Sequence, residues 1–128
     1  MNRVNETATG IGLHTIDRTD PMPLHEQVAA AIRRAIQQGE AGPGDRVPQA
    51  RDLAAVLGVN KNTVLRALHL LRDEGVLEMG RGRAIRITGT PEHAVLVDKT
   101  RELIELARHH GYRRDEFIGL VSRISQTP

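Results

Sequence analysis

Apolar positions recur along this chain with two different periods, and the change between them divides it into segments. Leu24, Val28, Ala31, Ile32, Ala35 and Ile36 lie at offsets of 4, 7, 8, 11 and 12, one stripe of a helix. Pro21 and Pro23 punctuate its start and Gly39 its end, and Gly42-Pro43-Gly44-Asp45 forms a turn cluster. A short second helix is expected after Pro48, with Leu53, Ala54 and Leu57 facing inward and Gly58-Val59 breaking it. Asn60 suits the N-cap of a third helix, in which Val64, Ala67, Leu68 and Leu71 recur at offsets of 3, 4 and 7. Gly75 closes it at a position that favours a left-handed residue.

The period then drops to two. Leu77 and Met79 alternate with Val76 and Glu78, Gly80-Arg81-Gly82-Arg83 follows, and Ile85 and Ile87 alternate with Arg86 and Thr88. Two such runs around a glycine turn predict a β-hairpin. Gly89-Thr90-Pro91 marks a boundary, after which helical spacing returns. Leu96, Thr100, Leu103 and Ala107 form one stripe flanked by Val97 and Ile104. Gly111 stops it, and Phe117, Leu120, Val121 and Ile124 form a second. Residues 1 to about 20 are polar and without sustained period, apart from a short extended piece at Leu13 to Ile16. The division expected is a flexible arm over 1–20, a compact domain over 21–90 and a helical segment over 91–128.

Helix, helix, short turn, helix, hairpin is the order of a winged helix-turn-helix. The expected fold is therefore mainly α with a small β-hairpin, followed by two C-terminal helices. Such a third helix fits the major groove of B-DNA, where every base pair displays a distinct donor and acceptor pattern. The preceding helix crosses the backbone, and the hairpin reaches phosphates or the minor groove. Charge supports this reading. The chain as a whole carries a net charge of only +2, with 18 Lys and Arg against 16 Asp and Glu. Residues 46–89 nevertheless hold eight cations, Arg46, Arg51, Lys61, Arg66, Arg72, Arg81, Arg83 and Arg86, against the four anions Asp52, Asp73, Glu74 and Glu78. Phosphate binding through counterion release needs only that local excess.

Composition removes other classes. Aromatic residues are 2%, so base-stacking RNA and single-strand modules lack their main tool. The absence of Cys excludes disulfide scaffolds, thiolate zinc sites and thiol nucleophiles. The longest apolar stretch, Leu53 to Val59, is seven residues against the ~20 that a spanning helix needs. The first twenty residues lack a secretory pattern. A cytoplasmic, nucleoid-associated protein without a cofactor or membrane contact is expected.

Two spots carry the candidate chemistry. Asn60-Lys61-Asn62-Thr63 opens the third helix with short amides, a hydroxyl and a charge, which suit phosphates and base edges, Asn particularly adenine. Capping of the helix by Asn60 and Thr63 is the structural alternative, and the two roles are compatible. At Gly80-Arg81-Gly82-Arg83 the glycines permit a tight turn and the arginines point outward.

The segments Pro-Leu-His-Glu-Gln (23–27), Gly-Asp-Arg-Val-Pro (44–48), Arg-Asp-Leu-Ala (51–54), Gly-Val-Asn-Lys-Asn-Thr-Val (58–64), Arg-Ala-Leu (66–68), Leu-Arg-Asp-Glu-Gly-Val-Leu (71–77) and Gly-Arg-Gly (80–82) together resemble the GntR family of bacterial transcription regulators. The Asn-x-Asn-Thr turn and the short tail look like its YtrA subgroup, whose tail dimerises. The resemblance implies DNA contact by Arg51 on the second helix, by Asn60, Lys61, Asn62 and Thr63 at the start of the third, and by Arg81 and Gly82, with Arg83 beside them, at the wing tip. Three departures stand out. Gln49 and Ala50 replace the usual Ser and Glu, so the second helix is expected to be capped less well. Leu65 stands where many members carry a polar reader, and Lys61 replaces a frequent Pro.

The two tail stripes are too short to build a core of their own. Pairing with a second copy through Leu96, Thr100, Leu103, Ala107, Phe117, Leu120, Val121 and Ile124 is expected over packing against the same chain. A two-fold dimer sets two reading helices about one DNA turn (~34 Å) apart or a multiple of it. Asp115 and Glu116 suit the N-terminal end of the last helix. The reading is a repressor that binds an inverted-repeat operator as a homodimer. A rival is an antitoxin-like or partner-binding dimer whose DNA binding is secondary. An enzyme is disfavoured: His14, His25, His69, His93, His109 and His110 include no pair spaced by three residues, and no nucleophile-elbow or phosphate-loop pattern occurs.

Overall fold

The computed structural model describes residues 16–80, 82 and 84–126. Its elements are α1 (Leu24–Gln37), β1 (Arg46–Val47), α2 (Ala50–Leu57), α3 (Lys61–Asp73), β2 (Leu77–Glu78), β3 (Ile85–Ile87), α4 (Pro91–His109) and α5 (Arg114–Ser125). The chain is mainly helical with a small antiparallel sheet, as its periodicity predicts. It divides into two compact units between Val95 and Leu96.

In the first unit, α1 and α2 both pack on α3. The helical stripes supply the contact: Val28, Ile32, Ile36, Leu53, Val64, Leu68 and Leu71 are all fully buried. Removing such side chains from water contributes roughly 1.5–3 kcal/mol each. Leu24, the first residue of the α1 stripe, is only half-buried.

The sheet has three strands in the order β1-β3-β2, one more than the hairpin expected. Leu77 pairs with Ile87 and Glu78 with Arg86 across the hairpin, while Arg46 and Val47 pair with Arg86 and Ile85 on the other edge of β3. Val47, Leu77, Ile85 and Ile87 are buried and Arg46, Glu78 and Arg86 exposed, the alternation of a half-covered sheet. The Gly42–Asp45 turn delivers β1 to this edge. The Asp45 carboxylate accepts from the Gly42 amide at 2.9 Å, and Ile87 exchanges bonds with Gly44 and Asp45 at 2.8 and 2.9 Å.

Two ties beyond the helical stripes hold this unit together. The first anchors the end of the N-terminal segment, which shows no period. Gln27, a buried amide on α1, accepts from the Asp17 amide at 2.7 Å and donates to the carbonyls of Asp17 and Met22, both at 2.8 Å. The second grips the end of α3. Arg33, 4% exposed, donates to the Glu74 carboxylate at 3.0 Å, and the His93 Nε2 bonds the Glu74 carbonyl at 2.7 Å. Gly75, with φ of 76°, takes the left-handed conformation that lets the chain turn after α3, beside the His93 ring. Thr90 caps α4 by accepting from the His93 amide at 3.1 Å, with Pro91 as the first helical residue. Ala94 is fully buried, so the first turn of α4 belongs to this unit. The compact boundary therefore falls five residues beyond the Thr90-Pro91 punctuation.

The second unit holds the remainder of α4 and α5, joined through Gly111 at φ of 81°. Past Ala94, neither helix has a buried residue. Glu116 receives the Arg113 amide at 2.9 Å, and Asp115 and Glu116 fill the acidic first turn of α5.

Candidate nucleic-acid interface

The end of α3 nearest the helix-turn-helix turn is built by a strict local geometry. Gly58 ends α2 in the left-handed region, φ 68° and ψ 34°, with its amide bonded to the Ala54 carbonyl at 2.9 Å. The chain reverses within two residues. Asn60 then sits in extended backbone as the N-cap of α3, its Oδ1 accepting from the Asn62 amide at 2.7 Å. Asn60 thus caps the helix, while Thr63 makes no such bond and is half-buried.

Because Val64, Ala67, Leu68 and Leu71 are committed to the core, the opposite face of α3 is fixed outward. Lys61, Asn62 and Arg66 are exposed on it and Leu65 is half-buried. On α2, Arg51 is exposed in the first turn. Gln49 caps that helix without any side-chain bond, so its first amide groups have no side-chain acceptor from the cap and suit an anion. At the wing tip Gly82 is exposed with φ of 59°, and Arg81 and Arg83 lie outside the described residues.

Among the described residues, some cations are paired and others are not. Arg33, Arg72, Lys99, Arg108 and Arg113 each hold a carboxylate within 4 Å. Arg51 and Lys61 hold none, which leaves their charge to act on an outside partner. A third cation joins them that periodicity did not single out. Arg18 donates from Nη2 to the carbonyl of Gly58, in the turn itself. Its only mark in the sequence is a charge in an unpatterned segment; the contact spans forty residues and has no local signature.

The predicted dimer residues are scattered between half-buried and exposed. Leu96, Thr100, Leu103, Val121 and Ile124 are exposed, and Ala107, Phe117 and Leu120 are half-buried. Leu106, Tyr112 and Ile118, outside the predicted stripes, are exposed as well. The Thr100 hydroxyl donates to the Leu96 carbonyl at 2.7 Å, so its donor is satisfied within the helix. His25 and His69 line a shallow recess with Arg66, Leu70 and Asp73. Among the described residues no three His, Asp or Glu side chains gather as a metal site, and no helix is long and apolar enough to cross a membrane.

Comparison with known proteins follows the same lines. The chain is 36% identical over 73 residues to the transcriptional repressor YtrA of Bacillus subtilis, covering 57% of this chain and 56% of that protein. It is 34% identical over 97 residues to the histidine utilization repressor of Klebsiella aerogenes, covering 75% of this chain and 40% of that one. The chain thus spans about half the length of these relatives. Among solved structures, YtrA from Sulfolobus acidocaldarius, a GntR-family transcription factor, superposes with a TM-score of 0.56 at 33% identity, over 73% of this chain and 99% of that one. Residues 24–87, from the first residue of α1 to the last of β3, match the family described as bacterial regulatory proteins, gntR family. With half its length inside that match and its helix-turn-helix built as described, the chain belongs to the GntR family of bacterial regulators.

Proposed function

We propose that this regulator is a cytoplasmic, nucleoid-bound repressor that reads an inverted-repeat DNA operator as a homodimer and silences transcription by occupying it. One observation supports this above others: α3 commits its apolar face to the core while Asn60, Lys61 and Asn62 stand exposed at its start, without an ion-pair partner for Lys61 among the described residues. In this reading α3 lies in the major groove, with Asn62 and the free amide of Asn60 facing base edges or phosphates and Lys61 contributing charge. Arg51 reaches the flanking backbone from α2, and Arg81, Gly82 and Arg83 extend the wing to the minor groove. The uncovered apolar side chains of α4 and α5 pair two copies. The domain division proposed is arm, winged helix-turn-helix over 21–90, and dimerisation segment over 91–128.

Selection from a random pool of duplexes tests the reading. Enriched sequences are expected to be inverted repeats with half-sites about ten base pairs or a multiple apart. In a mobility shift on the selected duplex, Arg51→Ala and Asn62→Ala each weaken binding roughly ten-fold. Enrichment of no common motif, or wild-type affinity in both variants, would refute it.

A further inference from the structure

We infer that Arg18 is a phosphate-positioning residue, extending the DNA interface from the helix-turn-helix onto the segment that precedes α1; this rests on the DNA-binding reading above. Three observations converge on it. First, the backbone around Arg18 is fixed. Asp17 is tied on both its amide and carbonyl to the buried Gln27, and its carboxylate accepts from the Thr19 amide at 2.9 Å and the Thr19 hydroxyl at 2.6 Å. The Asp20 carboxylate accepts from the Met22 amide at 2.8 Å. An arginine held so pays little further ordering entropy on meeting a ligand.

Second, its head is placed on the turn that delivers α3. The Nη2 of Arg18 donates to the carbonyl of Gly58, the left-handed residue that ends α2. That carbonyl oxygen carries partial negative charge and would repel a phosphate approaching the turn. The guanidinium covers it and reverses the local sign. Only Val59 separates Gly58 from Asn60, and a chain spans at most about 3.6 Å per residue, so the carbonyl that Arg18 holds lies on a residue within about 7 Å of the α3 N-cap.

Third, the group has capacity to spare. A guanidinium carries five N–H donors. Among the described residues it makes this one hydrogen bond and meets no carboxylate. A planar fork with several unused donors, exposed beside a helix start and paired with no anion, matches the chemistry of a phosphodiester oxygen pair. The contact orients the protein on the duplex and carries no base sequence, so it acts equally on any DNA.

That sequence independence makes the test simple. The intact protein is titrated with a labelled mixed-sequence duplex of about 30 base pairs at several salt concentrations, comparing wild type, Arg18→Ala, Arg18→Lys and Arg51→Ala. Arg18→Ala is expected to lower the slope of log affinity against log salt by about 0.9 for each protomer bound, and Arg18→Lys to keep it. A loosened turn without a phosphate contact would lower the melting temperature and leave the slope intact. An unchanged slope in Arg18→Ala, with Arg51→Ala still impaired, overturns the role of Arg18 and leaves the DNA reading standing. The same holds if Arg18→Lys loses the slope as Ala does while remaining folded. Absence of salt-dependent binding by the wild type overturns both.

Discussion

At the scale of the residue, Asn60 combines two demands in one side chain. Its Oδ1 is occupied by the Asn62 amide, and its Nδ2 has no partner among the described residues. Stability and recognition therefore use opposite ends of the amide and can be separated by substitution. Asn60→Ala removes the cap and costs about 1 kcal/mol in urea denaturation. Asn60→Asp keeps the acceptor and sets a negative charge at a helix start, so melting stays at or above wild type. The same Asp loses the donor and repels phosphate, so duplex affinity falls at least as far as in the Ala variant. An Asp variant that binds like wild type would confine Asn60 to capping. Asp17 adds a dependence on pH. The Thr19 hydroxyl, then the Thr19 amide, hold its carboxyl below the usual 3.8. A depressed value means the turn is supported above the ordinary carboxylate range and is released as pH falls below 3.8 through the lowered value. Protection of the Thr19 amide relative to its unprotected exchange rate at the same pH, expected to fall only in that acid window, reports it.

Elements are held in place by interactions of very different legibility. The helices were readable because their apolar offsets survive in any context, and Gly58 and Gly75 occur where left-handed ends are needed. Strand β1 was not: two residues carry no period, and Arg46 and Val47 become a strand only by pairing with Arg86 and Ile85 some forty positions on. The same holds for Arg33 and Gln27, polar residues on the α1 stripe side whose burial depends on Glu74 and Asp17 arriving opposite them. Arg51 and the Asn60–Thr63 start can be named as candidates from the sequence because they lie within one local motif. The Arg33–Glu74 pair also yields a stability prediction. Burial makes a broken pair costly, since the survivor keeps its charge without its partner. Glu74→Ala is expected to lose about 3–5 kcal/mol, and Arg33→Met combined with Glu74→Leu to regain most of it. Chemical denaturation of wild type and the two variants decides this. If the single and double variants are equally unstable, the pair is not the source of the cost.

For the whole molecule, the two units differ in how their apolar residues are covered. In the first, Val28, Ile32, Leu68 and Ile87 are sealed among helices and sheet. In the second, Leu96, Leu103, Leu106, Ile118, Val121 and Ile124 remain open to water on helix segments that bury nothing past Ala94. Apolar side chains exposed in this number on about thirty residues suit the pairing of copies proposed above. Pairing between copies would also give the regulator two α3 helices for two half-sites. The consequence is a variant that separates assembly from folding. Leu103→Glu with Ile124→Glu places charges on side chains that are 48% and 64% exposed, so the melting of the first unit is expected to stay within about 0.5 kcal/mol of wild type. Sedimentation equilibrium is expected to give wild type at twice the 14.1 kDa chain mass and the double variant at the chain mass itself. On a selected inverted-repeat duplex the variant should bind no better than to a single half-site, because the linkage between the two reading helices is what multiplies their affinities. A double variant that still sediments as a pair would assign the contact to another surface. A monomer that keeps full affinity for the inverted repeat would remove the dimer from the recognition mechanism.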